Sequence, residues 1–168
     1  MSIPLQARSG AWQPALELLE PISLVRCCTS PLGRNLCMIV TETAVHVYAT
    51  SDESPNLSFE PVTSFFLGCR ATGASWSPST QHASTAWRIE ILVATETNEL
   101  RLLESVRQGS EASTSNKKLA DTYARVTDLA WCASPGYESY AAAACSDGTV
   151  RLWDLEGGCR THYLNSAV

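Results

Sequence analysis

The sequence predicts an all-β fold made of three successive copies of one four-stranded antiparallel unit. Short apolar runs of strand length, separated by polar turns, recur three times in the same order. An Asp-Gly pair, Asp147-Gly148, stands between two such runs, and Asp-Gly is a strong hairpin signal because the turn needs positive φ. No segment has the pattern of a long amphipathic helix, while 45% of the residues are apolar and 17% charged, enough to fill a core.

The first copy, roughly residues 22–67, opens with SLVRCCTS at 23–30. A Pro-Leu-Gly turn leads to NLCMIVT at 35–41, and Thr41-Glu42-Thr43 turns the chain into AVHVYAT at 44–50. After the polar stretch SDESPN, LSFEPVTSFFL at 57–67 is expected as the outer strand, with Pro61 restricted to an edge or a bulge. Upstream, ALELLE at 15–20 is bracketed by Pro14 and Pro21, which leaves room for one helical turn or an added strand.

The second copy, roughly 68–118, begins with ATGASWSP at 71–78. A polar loop, STQHASTA, precedes WRIEILVAT at 87–95, which alternates through Ile89, Ile91 and Val93. The turn ETNE leads to LRLLES at 100–105, and the Ser-rich stretch VRQGSEASTSNKK at 106–118 is expected to be a flexible surface linker. The third copy, roughly 119–164, has VTDLAW at 126–131, the loop CASPGYES, YAAAAC at 140–145, the turn SDGT and VRLWDL at 150–155. Gly157-Gly158 then turns into CRTHYL as a fourth, outer strand. The third runs align on Val47, Leu102 and Leu152, which lie 55 and 50 residues apart, so the units carry loop insertions. Residues 1–168 are read as one domain.

Composition excludes several classes of function. A net charge of −5 and the absence of a Lys/Arg run argue against a nucleic-acid surface. No stretch is long and apolar enough to cross a bilayer as a helix, and no basic start followed by an apolar stretch marks a secretory signal, so cytosol or nucleus is the expected compartment. The cysteines, Cys27, Cys28, Cys37, Cys69, Cys132, Cys145 and Cys159, are odd in number and form no C-x-x-C pair. They therefore signal neither a disulfide framework nor a zinc ribbon, and most are expected as small buried hydrophobes. No G-x-S-x-G, H-E-x-x-H or Gly-rich phosphate loop occurs, so no enzyme is predicted. Asp147 reads as a turn residue before Gly, not as an acid or base. Glu96 and Glu99 flank a turn and are expected to face solvent, and Trp12, Trp76, Trp87, Trp131 and Trp153 are expected as core residues, not as a ligand site.

The segment VTDLAWCASPGYESYAAAACSDGTVRLWDLEGG at 126–158 resembles a WD repeat, through Val126, Trp131, Asp147, Gly148, Val150, Leu152, Trp153 and Asp154. The resemblance implies a WD-repeat β-propeller with about three blades of an incomplete ring, since propellers have about four to eight blades. The structural motif residues it implies are Trp76, Trp131, Asp147, Gly148, Trp153 and Asp154. It also implies a polar network of His, Ser, Asp and Trp, here incomplete. Ala120-Asp121-Thr122 stands near the Gly-His position, and Ala143 replaces the Ser.

Residues 73–105 and 126–158 are further similar to consecutive blades of the WD-repeat nucleoporins of the Y-shaped scaffold complex of the nuclear pore. The shared features are Trp76-Ser77-Pro78, a polar insert, an apolar strand and a Leu-Arg-Leu-type strand. That likeness implies a structural scaffold subunit whose partner is a large scaffold nucleoporin of the Y-complex, with a place at the nuclear envelope. It implies no cofactor, no metal, no small-molecule substrate, no nucleic acid and no membrane insertion. The alternative is a generic WD-repeat adaptor in another assembly, such as a ubiquitin ligase or chromatin complex, with the cytoplasm as its compartment. At the level of fold, the far-UV circular dichroism of the chain should be that of a β protein; a spectrum dominated by helix would refute the three-copy reading.

Overall fold

The computed structural model describes residues 18–51, 58–156 and 160–165, the last of these by backbone only. No helix lies among the described residues, which form three antiparallel sheets. Blade 1 comprises β1 (Leu24–Cys27), β2 (Leu36–Val40), β3 (Ala44–Ser51) and β4 (Ser58–Phe66), paired in chain order. Blade 2 comprises β5 (Ala71–Trp76), β6 (Gln81–His82), β7 (Ala86–Thr95), β8 (Glu99–Gln108) and β9 (Glu111–Asp121), in the order β5-β7-β8-β9 with the short β6 also on β7. Blade 3 comprises β10 (Val126–Trp131), β11 (Tyr140–Cys145), β12 (Thr149–Asp154) and β13 (Arg160–Asn165). These are three blades of an incomplete ring.

The registers align the blades. Val45, Leu100 and Val150 lie opposite Val40, Ala94 and Ala144 on the neighbouring strand, which makes Val47, Leu102 and Leu152, two residues on, equivalent. Each turn between the second and third strands is tight. Asn98 takes φ 58° and Gly148 φ 80°, the left-handed region that Asn tolerates and Gly occupies freely.

Alternation along each strand sorts side chains onto the two blade faces. Leu36, Met38, Val40, Val45 and Val47 of blade 1 pack against Trp76, Ile89, Ile91, Val93 and Leu103 of blade 2 in one buried cluster. The opposite face of blade 2 presents Leu92, Ala94 and Leu100 to Leu129, Ala141, Ala143 and Trp153 of blade 3. The alanine run of β11 is matched to its neighbours: Ala141 stands opposite both Trp131 and Trp153, so the small residue makes room between two large ones. Trp153 is fully buried there.

Three expectations change. Residues 106–118 are not a flexible linker. They complete β8, turn at Gly109-Ser110 and form β9, an eleven-residue outer strand that pairs with β8 along its whole length. The stretch reads as polar because nearly every side chain of β9 is exposed; backbone pairing, not burial, makes it a strand. The STQHASTA segment is not all loop either, since Gln81 and His82 pair with Arg88 and Trp87. Glu99, expected to face solvent beside its turn, is held by Arg101 and Lys118. Pro61 lies on the outer strand opposite Tyr48, beside a bulge, satisfying both of its tolerated settings. Of the upstream ALELLE segment, residues 15–17 lie outside the described residues, as do Trp12, Gly157-Gly158, Cys159 and most of SDESPN.

Gly148 has open space where a Cβ would stand, so any penalty for a side chain there is conformational, not steric. Gly148→Val should cost about 1–3 kcal/mol, the usual range for a strained backbone residue. Thermal unfolding that matches the parent would show that the hairpin does not need positive φ.

Candidate functional site

Trp76 ends β5 and is buried in the core between blades 1 and 2; its indole Nε1 donates to the Arg26 carbonyl at 3.1 Å, tying the innermost strands of those blades. The following Ser77 and Ser79 hydroxyls both donate to Glu90 Oε2 at 2.9 Å, and Arg88 Nε donates to the other carboxylate oxygen at 2.8 Å. A buried carboxylate thus anchors the Trp-Ser-Pro turn, its charge compensated by three donors.

Trp131 holds the matching place at the end of β10. Its backbone N–H donates to Ser75 Oγ at 2.8 Å, a link between blades 2 and 3, and its indole donates to the Glu138 carbonyl at 2.6 Å. Asp147 turns back on its own hairpin. It accepts from the Thr149 hydroxyl at 2.6 Å, the Thr149 N–H at 3.0 Å and Arg151 Nη2 at 2.8 Å. The bonds from Thr149, aided by the Arg151 guanidinium, hold its carboxyl below the usual aspartate range. Asp154 accepts from the Glu156 N–H at 3.2 Å. Trp153 does not meet Asp147 through a hydrogen bond: its indole N–H is buried with no partner among the described residues, as is the Thr122 hydroxyl in the loop before β10. With Ala143 in place of a hydroxyl residue, the chain that would join Trp to Asp is broken, and Arg151 takes the Asp instead. These motif residues are spread over two inter-blade seams and one hairpin. They brace blades rather than converge on one pocket, though Trp131 also lines an apolar hollow of blade 3.

Three of the thiols are held in the protonated form. Desolvation raises Cys28, Cys145 and Cys37, the last to about 11, so the thiolate is disfavoured at neutral pH. All described cysteines are free, and Cys27, on the strand opposite Cys37, is exposed. Among the described residues no three His, Cys, Asp or Glu side chains gather to hold a metal.

What tertiary structure does assemble is a groove on the blade 1–blade 2 junction. Ser30 Oγ donates to the Thr80 carbonyl at 2.6 Å, and the His82 N–H donates to the Leu32 carbonyl at 2.9 Å, so the blade 2 insert is fastened to the first loop of blade 1. Two adjoining hollows of about 500 and 570 Å³ share His82, Ala83, Trp87 and Arg107 as a common wall. The Arg107 guanidinium lies 4.8 Å from the Trp87 ring centre, and His82 is tilted against the same indole with ring centres 5.9 Å apart. Asn35 Nδ2 donates to His82 Nδ1 at 3.1 Å, which leaves the ring proton on Nε2. Burial lowers the pKa of His82, opposed by the charge of Glu60 on the same wall. An aromatic plate with a guanidinium and a neutral imidazole beside it suits docking of a peptide side chain. Sequence reasoning treated Trp87 as core and the insert as loop; the only available signal was the length of that insert.

A second surface is the outer face of blade 3, where Ala130, Ala142 and Leu152 lie with Cys132, Tyr137 and Tyr140 around an apolar hollow of about 540 Å³. Val150 on the same face is 41% exposed. This is the face a following blade covers in a propeller.

Blades of this build, packed face to face, are those of a β-propeller. The fold is shared with the WD40 domain of SCAP from fission yeast, at a TM-score of 0.60 and 12% identity, over 86% of this chain and 32% of that one. This chain therefore spans about a third of the length of the solved chain it matches. No family model matches the chain, and no curated protein sequence is significantly similar to it.

The His82 setting predicts a pH dependence. Its folded-state pKa lies below the ordinary 6.5, so the stability it contributes is complete above that value. As pH falls through 6.5 the unfolded chain takes up the proton first, and stability is lost until the folded pKa is passed. The thermal midpoint should drop as pH falls below about 6.5, and drop less in His82→Gln. Parallel pH profiles for the two proteins would contradict a buried neutral imidazole.

Proposed function

We propose that this chain is a non-catalytic scaffold module that works by binding other proteins. The observation that carries this reading is the WD40 propeller architecture, whose motif tryptophans and turn aspartate are used in bracing blades while loops, edges and the outer face of blade 3 remain open. Fold by itself does not select a partner. The selection comes from the likeness of residues 73–105 and 126–158 to consecutive blades of the Y-complex WD-repeat nucleoporins. The parent protein is accordingly read as an architectural subunit of the nuclear pore, held at the nuclear envelope by a large scaffold nucleoporin. It acts without metal, nucleotide or nucleic acid. The acidic balance of the chain agrees with a surface that avoids nucleic acid.

Support for the finer assignment lies in the second blade. Trp76-Ser77-Pro78 is followed by an insert that is structured, pinned to blade 1 and lined by an aromatic groove. The second reading is an adaptor of another assembly, favoured by the groove itself, which would serve a short peptide motif of any such partner. Tagging the full-length protein in cells separates the two. Rim staining of the nucleus with recovery of the large Y-complex partner is the expected outcome; diffuse cytosolic signal with recovery of a ubiquitin ligase or chromatin complex would replace it with the adaptor.

A further inference from the structure

We propose that β9, the outer strand of blade 2, is a self-complementary edge that joins two copies of this chain through antiparallel pairing. The ladder determines which backbone groups are free. Gly109 N–H bonds to the Thr85 carbonyl, continuing a β7–β8 ladder in which odd-numbered residues of β8 point toward β7. Even-numbered residues of β8 therefore point toward β9, where Gln108, Val106, Glu104 and Leu102 face Glu111, Ser113, Ser115 and Lys117. The N–H and C=O groups of Ala112, Thr114 and Asn116 point away from the sheet, and no backbone partner meets them among the described residues.

This edge carries charge at Glu111 and Lys117 but has neither a proline nor a central bulge. Outer strands are commonly blunted by proline, bulges or charge. β4 of blade 1 has Pro61 and a bulge in its middle. β9 has its bulge only beyond Lys117, opposite the Leu100/Arg101 step, so residues 111–117 form a straight, unobstructed stretch. Every one of them is exposed.

The stretch reads EASTSNK, and its polarity mirrors about Thr114. Two copies brought together antiparallel on a two-fold axis at Thr114 place Ala112 opposite Asn116, Thr114 opposite Thr114, and Ser113 opposite Ser115. The outward-facing even residues then meet one another as hydrogen-bonded pairs, which is the only parity that completes the ladder. The same register sets Glu111 opposite Lys117 at both ends, on one sheet face, in the closely spaced pair type where side chains touch. Among the described residues neither Glu111 nor Lys117 makes an ion pair, whereas the adjacent Lys118 is taken by Glu99 and Asp121. A register shifted by two residues keeps the ladder parity but loses both charge pairs. The contact is isologous and closed, so it stops at a dimer instead of growing a fibre.

Sedimentation velocity of the full chain over a range of concentrations tests this. The parent should show a concentration-dependent dimer. Thr114→Pro removes a donor that points outward and costs the β8 ladder nothing, so it should sediment as a monomer with an unchanged circular dichroism spectrum. Lys117→Glu turns both end pairs repulsive and should weaken the dimer about tenfold. Mixing Lys117→Glu chains with Glu111→Lys chains restores opposite charges at both ends, and should return association to the parent's strength, above that of either variant alone. A parent that stays monomeric throughout overturns the proposal. So does association that persists in Thr114→Pro, or charge variants that associate like the parent, because the contact would then lie elsewhere, such as the open face of blade 3.

Discussion

Face-to-face burial between blades is the interaction on which the rest of this structure depends. A four-stranded sheet has two faces and cannot cover either with its own strands, so each blade is stable only against a neighbour. Blade 2 is covered on both sides: Ile89, Ile91 and Val93 go into one cluster while Leu92 and Ala94, on the same strand, go into the other. That is why β7 reads as a continuous apolar run and not as a simple alternation. Blade 3, covered on one side, keeps Trp153 fully buried but leaves Val150 and the hollow around Leu152 exposed.

Polar groups serve this packing by setting the spacing between blades. The Trp76 indole reaches the Arg26 carbonyl, Arg101 reaches the Leu67 carbonyl at 3.1 Å, and Ser75 receives the Trp131 N–H. Gly73 belongs to the same scheme: a Cβ there would stand 3.1 Å from the Leu129 Cβ, so glycine lets the inner strands of blades 2 and 3 approach. Arg26 and Asp128 join blades 1 and 3 at 2.9 Å, but both side chains are substantially exposed, and such a pair contributes little beyond position. In blade 3 the spacing role passes from a side-chain relay to volume matching of alanine against tryptophan. The orphaned Trp153 N–H shows that the relay is not needed for burial, although an unmet buried donor has a cost.

The surfaces available for binding follow from what this packing leaves over. Blade faces are committed wherever a neighbour exists, so recognition falls to edges, to the outer face of blade 3 and to the insert that closes the junction of blades 1 and 2. The insert is rigid because Ser30, Leu32, Thr80 and His82 lock it to the preceding blade. The outer strand of the β8–β9 hairpin is exposed for the opposite reason, since it is held mainly by backbone bonds to β8, with the Asn116 side chain reaching the Phe66 carbonyl of blade 1.

The sequence by itself determined the class of fold, the three-fold repetition and the tight turn at Asp147-Gly148. Those depend on local chemistry: apolar period, turn residues with positive φ, and the spacing of equivalent strands. It also marked Trp76, Trp131 and Trp153 as blade residues, and all three pack at inter-blade seams. Tertiary structure alone decided that residues 106–118 form a strand, because a polar segment becomes one only when a partner edge is present, and β8 supplies it. It alone brought His82, Trp87 and Arg107 together with Asn35, whose positions in the chain carry no mutual period. It alone turned Asp147 from the indole to Arg151, since a guanidinium four residues on outcompetes a network whose hydroxyl member is an alanine.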